Sequence, residues 1–265
     1  MNLQGRTVLL TGASAGIGRV IGSALHDRGA SLLLSGRHSD DLEAFCAELG
    51  DRAEPVVADL AEREDVERLA NRAQDVDVFV SNAGLPASGA LDGFTPEEID
   101  RALDVNLRAP IRLARVLAPR MVERGEGHLV FVASLLGKMA RPGSSIYCAT
   151  KFGVRGFALA LADDLAPTGV GVTTVLPGFV GGVGMLAETG VTPPRGMGLS
   201  TPEQVAAAVV RGIEEGDEEI IVAPRSLRVG AFLMATAPRR MAKMRRRPES
   251  YEYAEAMARA QASKR

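Results

Sequence analysis

The chain has 265 residues, 46% of them hydrophobic and 24% charged, an ordinary globular composition long enough for one large domain with a complete core. Thirty-one lysines and arginines stand against thirty-three acidic residues, and the net charge of −2 excludes a whole-protein electrostatic footprint for nucleic acid. Two cysteines and three scattered histidines exclude a disulfide framework and a zinc pattern.

Short apolar runs at 7–10, 31–34, 55–58, 76–80, 128–133, 170–176 and 219–223 alternate with longer amphipathic stretches. Strands separated by helices predict βαβ units, and strands that are apolar throughout predict a parallel sheet covered on both faces. The N-terminal residues run into the first strand with no basic and apolar leader pattern. No apolar stretch reaches the ~18 residues of a membrane span, so the expected location is the cytoplasm.

The first strand leads into Thr11-Gly12-Ala13-Ser14-Ala15-Gly16-Ile17-Gly18 and then a helical pattern. Gly12, Gly16 and Gly18 let a backbone turn come close to a pyrophosphate, with the N–H groups of the next helix facing its charge. After the second strand come Ser35, Gly36, Arg37 and His38, with no carboxylate before Asp40. An acid at this place bonds an adenosine ribose 2′-OH, whereas an arginine accommodates a 2′-phosphate. Arg37 can fork two donors onto that phosphate, and Gly36 leaves room for it. The cofactor expected is therefore NADP(H); the competing reading is a solvated loop arginine.

Thr95-Pro96-Glu97-Glu98 and Thr201-Pro202-Glu203-Gln204 predict two helix starts, each with Thr as N-cap, Pro in the first turn and Glu or Gln three residues after the cap. The first of these helices is expected to span 96–123. Asn106 lies inside it, four residues before Pro110, which has no N–H to offer the Asn106 carbonyl. That carbonyl can then hold a water, or the proline merely kinks the helix for packing.

Ser134 follows the apolar run 128–133, where a loop would present it above the sheet edge. Thirteen residues later come Tyr147 and Lys151, four apart and so on one face of a helix. A phenol of ordinary pKa, ~10, is a poor acid–base catalyst at neutral pH, and a nearby ammonium lowers that value. A serine hydroxyl can hold a carbonyl oxygen beside the phenol. Cys148, between the two, reads as a buried structural thiol, and His128 as a satisfied strand residue.

These motifs resemble the short-chain dehydrogenase/reductases, in their compact branch, from about Arg6 to Ala223. The ordered matches are the 11–18 turn, Asp59 after the third strand, Asn82-Ala83-Gly84 after the fourth, Asn106, Ser134, Tyr147 and Lys151, and Pro177-Gly178 after the sixth. The resemblance implies a doubly wound, seven-stranded parallel Rossmann sheet with helices on both faces. It also implies hydride transfer between a nicotinamide and an alcohol or carbonyl carbon, on a small-molecule substrate. Asp59 would contact adenine, and Asn82-Ala83-Gly84 would support the central strand and the ribose. Tyr147 would be the acid/base, Lys151 would bind the nicotinamide ribose and tune Tyr147, and Ser134 would orient the substrate oxygen. Asn106 would serve a proton relay from Lys151 through its water. Ser14, Ile17, His38 and Val180 complete the expected cofactor contacts. A homodimer or homotetramer through the helices holding Asn106 and Tyr147 is implied as well.

The sequence departs from the family pattern in three places. Ala15 stands where many NADP-dependent members carry a basic residue, which leaves phosphate selection to Arg37 and His38. Gly182 stands where the family has a threonine after Pro177-Gly178. The segment after the seventh strand differs from that of bacterial ketoacyl reductases. Two competing readings are a cofactor-binding sensor or scaffold without turnover and a sugar-nucleotide epimerase. Retention of Asn106, Ser134, Tyr147 and Lys151 weighs against the first. The mere forty residues after the last strand weigh against the second.

Two segments stand apart. Residues 181–200 are glycine-rich with Met185, Leu186, Met197 and Leu199, and read as a lid over the site or an apolar pocket wall. Residues 225–265 carry eleven basic and three acidic side chains, a net +8 against −10 for residues 1–224. We expect 1–224 to form the dinucleotide-binding and catalytic domain and 225–265 an apolar and basic helical extension. Its apolar run would cover the cleft or a neighbouring subunit; peripheral membrane contact through the arginines is the less favoured reading.

Overall fold

The computed structural model describes residues 1–194 and 197–264. Seven strands form one parallel sheet: β1 (Thr7–Thr11), β2 (Ser31–Gly36), β3 (Ala53–Val57), β4 (Val78–Ser81), β5 (Gly127–Val132), β6 (Val170–Pro177) and β7 (Glu219–Val222). Their order across the sheet is β3-β2-β1-β4-β5-β6-β7. Each of the seven apolar runs falls on a strand, because helices cover both faces of the sheet and only its edge strand β3 is half-exposed.

Alternation along the strands divides the core into two layers. Leu9, Phe79, Leu129 and Phe131 point to one face, where α3 (Arg63–Arg72), α5 (Ala109–Arg124) and α6 (Ser145–Leu165) cover them through Leu69, Leu113, Leu117 and Val154. Val8, Leu10, Val78, Val80 and Val130 point to the other, against α1 (Gly16–Asp27), α2 (Ser39–Leu49) and α8 (Pro202–Glu215). Both layers are the doubly wound arrangement, and the chain reverses direction across the sheet between β1 and β4. In such sheets the crevice at that switch point, beyond the carboxyl ends of the strands, is where ligands bind.

Both expected helix starts form reciprocal capping boxes. Thr95 accepts from the Glu98 N–H at the head of α4 (Pro96–Leu103), and Thr201 accepts from Gln204 at the head of α8. The helix expected over 96–123 is not uniform. Residues Asp104–Arg108 form a π-helical turn between α4 and α5, with Asn106 at its centre. Pro110 explains the irregularity, since it cannot donate to the Asn106 carbonyl four residues before it.

After β6 the chain forms a parallel bridge between Val180 and Ser200 and one short helix, α7 (Gly184–Ala187). Arg195 and Gly196 of the expected lid segment lie outside the described residues, as does Arg265 of the tail. The C-terminal extension is helical: α9 (Arg225–Thr236), α10 (Pro238–Arg245) and α11 (Pro248–Gln261). Leu227 and Ala231 of α9 turn inward onto Leu135, with Met139, Phe179 and Met197 packed around them. Val229, Phe232 and Leu233 face outward. Among the described residues no helix is long and apolar enough to cross a membrane, and no group of side chains has the makings of a metal site.

Candidate active site

A cleft of about 1410 Å³ opens over the carboxyl ends of β1, β2, β4, β5 and β6. That exceeds the ~300–1,000 Å³ of an ordinary small-ligand pocket, so it has room for a long ligand and a second molecule beside it. Gly12, Ser14, Gly16, Ile17, Gly18, Arg37, His38, Asp59, Asn82, Ala83, Gly84, Ser134, Tyr147, Lys151, Pro177, Gly178 and Val180 all line it. Asn106 alone among the expected site residues does not.

The glycine turn is shaped for close approach. Gly12 has φ +67°, and a Cβ there would come within 2.7 Å of the Ala83 backbone; a Cβ on Gly18 would fall 1.9 Å from the Gly12 carbonyl oxygen. Asn82 holds the turn from below. Its Nδ2 donates to the carbonyls of Thr11 (3.2 Å) and Gly12 (3.1 Å), and its backbone N–H donates to the Thr11 hydroxyl. Side chains are thus excluded where α1 begins, and the floor of the cleft is backbone.

At the β2 end, Ser35 is buried, and its Oγ has no hydrogen-bond partner among the described residues. Beside it Arg37 is exposed and has no ion-pair partner among those residues, although its charge reaches Asp59. The Asp59 carboxylate accepts from the Ala61 N–H (3.0 Å) and from Arg101 of α4 (2.8 Å). Burial would raise its pKa, but these two bonds and the charges of Arg101 and Arg37 hold it below the usual range. Arg101 was not foreseen, since it lies 42 residues from Asp59 on a helix that reads as amphipathic packing. Asp41 also lines this end.

The other end gathers the chemistry. Ser134 begins a short turn after β5 and accepts the Leu136 N–H at 3.1 Å, which leaves its own hydroxyl hydrogen to donate. A hydrogen bond joins it to the Tyr147 phenol, which stands half-buried in the first turns of α6. One turn on, the Lys151 ammonium is buried, donates to the Val132 carbonyl (3.2 Å) and sits 5.7 Å from the centre of the Tyr147 ring. Glu219 on β7 fixes this corner, because it pairs with Lys138 of the Ser134 loop and with Arg155 of α6 (2.5 Å).

Burial governs the protonation states. It pushes the Tyr147 phenol up to about 12, against the Ser134 hydrogen bond and the charge of Arg141, which both favour phenolate. It brings the Lys151 ammonium down to about 8. The phenol, expected from the sequence to be lowered, has a net upward shift, since removal from water outweighs the Ser134 hydrogen bond and the Arg141 charge. At neutral pH the corner therefore holds a protonated phenol beside an ammonium.

Asn106 sits behind the cleft wall, 1% exposed. Its Oδ1 accepts from the Leu85 N–H (2.6 Å), and its Nδ2 donates to the Leu85 carbonyl (3.0 Å) and to Thr150 of α6 (3.4 Å). It ties the loop after β4 to the helix carrying Tyr147 and Lys151. Gly182, in place of the usual threonine, has φ +82°, a conformation in which a threonine would be strained. Met185, Leu186 and Met197 line the cleft, whereas Leu199 is exposed. Cys148 is buried with its thiol pushed up by burial, the state of an inert structural thiol.

Comparison with known proteins bears on the same elements. The family model for short chain dehydrogenases matches residues 6–192. The ketoacyl reductase HetN of Nostoc sp. is 37% identical over 227 residues, covering 83% of this chain and 79% of its own. Among solved structures, a short-chain dehydrogenase from Sphingobium yanoikuyae in complex with NADPH superposes with a TM-score of 0.77 at 30% identity, over 92% of this chain and 97% of that one. A bulky-bulky ketone specific alcohol dehydrogenase from Comamonas testosteroni reaches the same TM-score at 26% identity, over 93% and 96%. With the family model and these relatives matching most of its length, the chain belongs to the short-chain dehydrogenase/reductases, a family of nicotinamide-dependent oxidoreductases.

Proposed function

We propose that the protein is an NADP(H)-dependent oxidoreductase that interconverts a carbonyl and a secondary alcohol on an apolar substrate. The observation that carries this reading is the meeting of Ser134, Tyr147 and Lys151 at one end of a cleft whose other end presents an arginine with no ion-pair partner among the described residues.

The residues fit a dinucleotide. The turn at Gly12 and Gly18 packs too closely on its own backbone and on Ala83 to admit a Cβ, α1 aims its first N–H groups into the cleft, and Ser35 holds a buried hydroxyl with no hydrogen-bond partner among the described residues. Arg37 would hold the 2′-phosphate, with His38 beside it, and Asp59 with Arg101 would flank the adenine. When bound, the nicotinamide supplies or accepts the hydride. Lys151 would hold the ribose next to it, with Asn82, Ala83 and Gly84 beneath and Pro177, Gly178 and Val180 opposite.

The phenol of Tyr147 donates its proton to the carbonyl oxygen as that oxygen gains negative charge. The raised pKa keeps the proton in place at neutral pH, and the Lys151 ammonium and the Ser134 hydroxyl stabilise the phenolate left behind. Reduction is thus the direction for which the corner is poised. Asn106 positions α6 against the loop after β4, and its carbonyl, denied a donor by Pro110, is the acceptor for a relay water that returns the proton through Lys151. The half-exposed Phe152 on α6 and Val122 on α5 fit a homodimer or homotetramer formed through these helices.

A cofactor-binding scaffold without turnover is the alternative. The experiment that separates them follows NADPH oxidation over a panel of aliphatic and aromatic ketones, with NADH beside it. Turnover of apolar ketones with NADPH preferred supports the proposal; cofactor binding with no turnover of any carbonyl overturns it.

A further inference from the structure

The catalytic corner uses only part of the cleft. The rest is walled by the segment after Val180 and by the C-terminal helices. Six of the nine methionines line it: Met139, Met185, Met197, Met234, Met244 and Met257. Unbranched and polarizable, such side chains adapt to apolar surfaces of varied shape.

Two buried polar side chains of that wall lie on α11. Tyr253, Met257 and Gln261 follow at intervals of four along α11, so they form one stripe, and all three line the cleft. Tyr253 is 8% exposed and Gln261 3%, yet neither the Tyr253 hydroxyl nor Gln261 Oε1 has a hydrogen-bond partner among the described residues. Buried polar atoms left in this way are costly unless a ligand completes them.

A cation stands beside Tyr253. The Arg141 guanidinium lies 5.0 Å from the Tyr253 ring centre and 5.7 Å from that of Phe179, and the two rings meet edge to face at 5.9 Å. Its Nε donates to Ser144 (3.0 Å), and among the described residues it has no ion-pair partner. Nearby carboxylates do not compete for it. Glu188 is paired with Lys264, while Glu249 and Glu252 are exposed at the rim.

We propose that Arg141 and Tyr253 form a carboxylate-binding subsite, so that the substrate is an amphiphilic carbonyl compound with an apolar chain against the methionines and a carboxylate on these two residues. Arg141 supplies paired N–H donors and Tyr253 its hydroxyl. This inference deepens the carbonyl oxidoreductase reading and rests on it. The proximity of Arg141 to Tyr147, whose phenolate its charge favours, places the subsite next to the reacting end of the cleft.

The test measures binding apart from chemistry. The full chain, saturated with NADP+, is titrated calorimetrically with octanoate and with methyl octanoate. The acid is expected to bind about tenfold tighter or more, the size of a charge-assisted contact. In Arg141→Met that ratio should fall to near one, and in the shape-conserving Tyr253→Phe it should fall by about threefold or more. Equal affinity for acid and ester in the wild-type chain, or an undiminished ratio in folded Arg141→Met and Tyr253→Phe, overturns the subsite. A parallel assay of 4-oxooctanoate and its methyl ester with NADPH separates the two proposals. Equal turnover of both would overturn the subsite and leave the oxidoreductase standing. Selective octanoate binding without turnover of either ketone would sustain the subsite and overturn the carbonyl chemistry it rests on.

Discussion

Replacing Arg37 by alanine isolates the cofactor choice. The guanidinium is exposed at the end of β2, is without an ion-pair partner among the described residues, and stands next to the orphaned Ser35 hydroxyl. Among the described residues no ion pair depends on it, so the variant should melt within about 1 °C of wild type. A bidentate arginine–phosphate contact of charge-assisted bonds is worth about 1.5–3 kcal/mol, or roughly a ten- to hundredfold change in kcat/KM. The loss should exceed the lower bound, because Asp41 lines the same end and its carboxylate would then face a phosphate with no cation between them. NADH, which has no such phosphate, should be used as well by Arg37→Ala as by the wild type. Steady-state assays with both cofactors at low ionic strength read this directly, and added salt should narrow the difference for NADPH. An unchanged NADPH preference in Arg37→Ala, or equal use of both cofactors by the wild type, would refute the reasoning.

Other consequences follow from burial. Lys151 loses its proton near pH 8, so cofactor binding and rate should fall as pH rises through that value, and Lys151→Met should weaken both at every pH. A profile flat across that range would remove the ammonium from its role. His128, on β5 in the middle of the sheet, is held down to about 4 by burial. Its Nε2 faces the Thr173 hydroxyl at 2.9 Å, and that hydroxyl donates onward to the Asp217 carbonyl, so Nε2 carries the proton. Its folded pKa lies below the unfolded value of 6.5. The stability it contributes is therefore full above pH 6.5 and is lost as pH falls toward 4, about 3 kcal/mol in all. Urea melts at pH 7 and pH 4.5 should show that loss in the wild type and a much smaller one in His128→Gln.

Much of this was legible in the chain because local chemistry and tertiary demand coincide. The seven apolar runs are strands since helices cover both faces, and the boxes at Thr95 and Thr201 are complete within four residues each. β3 shows the limit. It begins at Ala53 rather than at residue 55, and as a half-exposed edge strand its polarity blurs its start. The glycine turn and the Ser134, Tyr147 and Lys151 spacing carry their geometry locally, so each falls where expected. Contacts made across distance were not readable. Arg101 reaches Asp59 from another helix, and Glu219 clamps Lys138 and Arg155 from the last strand. Tyr253 of α11 finds its place only in the packed fold, edge to face with Phe179 after β6. The net shift of the Tyr147 phenol also needed the structure, because burial opposes the Ser134 hydrogen bond and the Arg141 charge, and only the packing decides which wins.

The central claim is that the Tyr147 phenol is the proton donor in a carbonyl reduction. Tyr147→Phe keeps the ring and removes only the hydroxyl, so its direct measurement is the single-turnover rate of ketone reduction with NADPH, beside NADPH affinity by fluorescence. The rate should drop by about a hundredfold or more while affinity stays within about threefold of wild type. Retention of most of the rate in Tyr147→Phe would contradict the account.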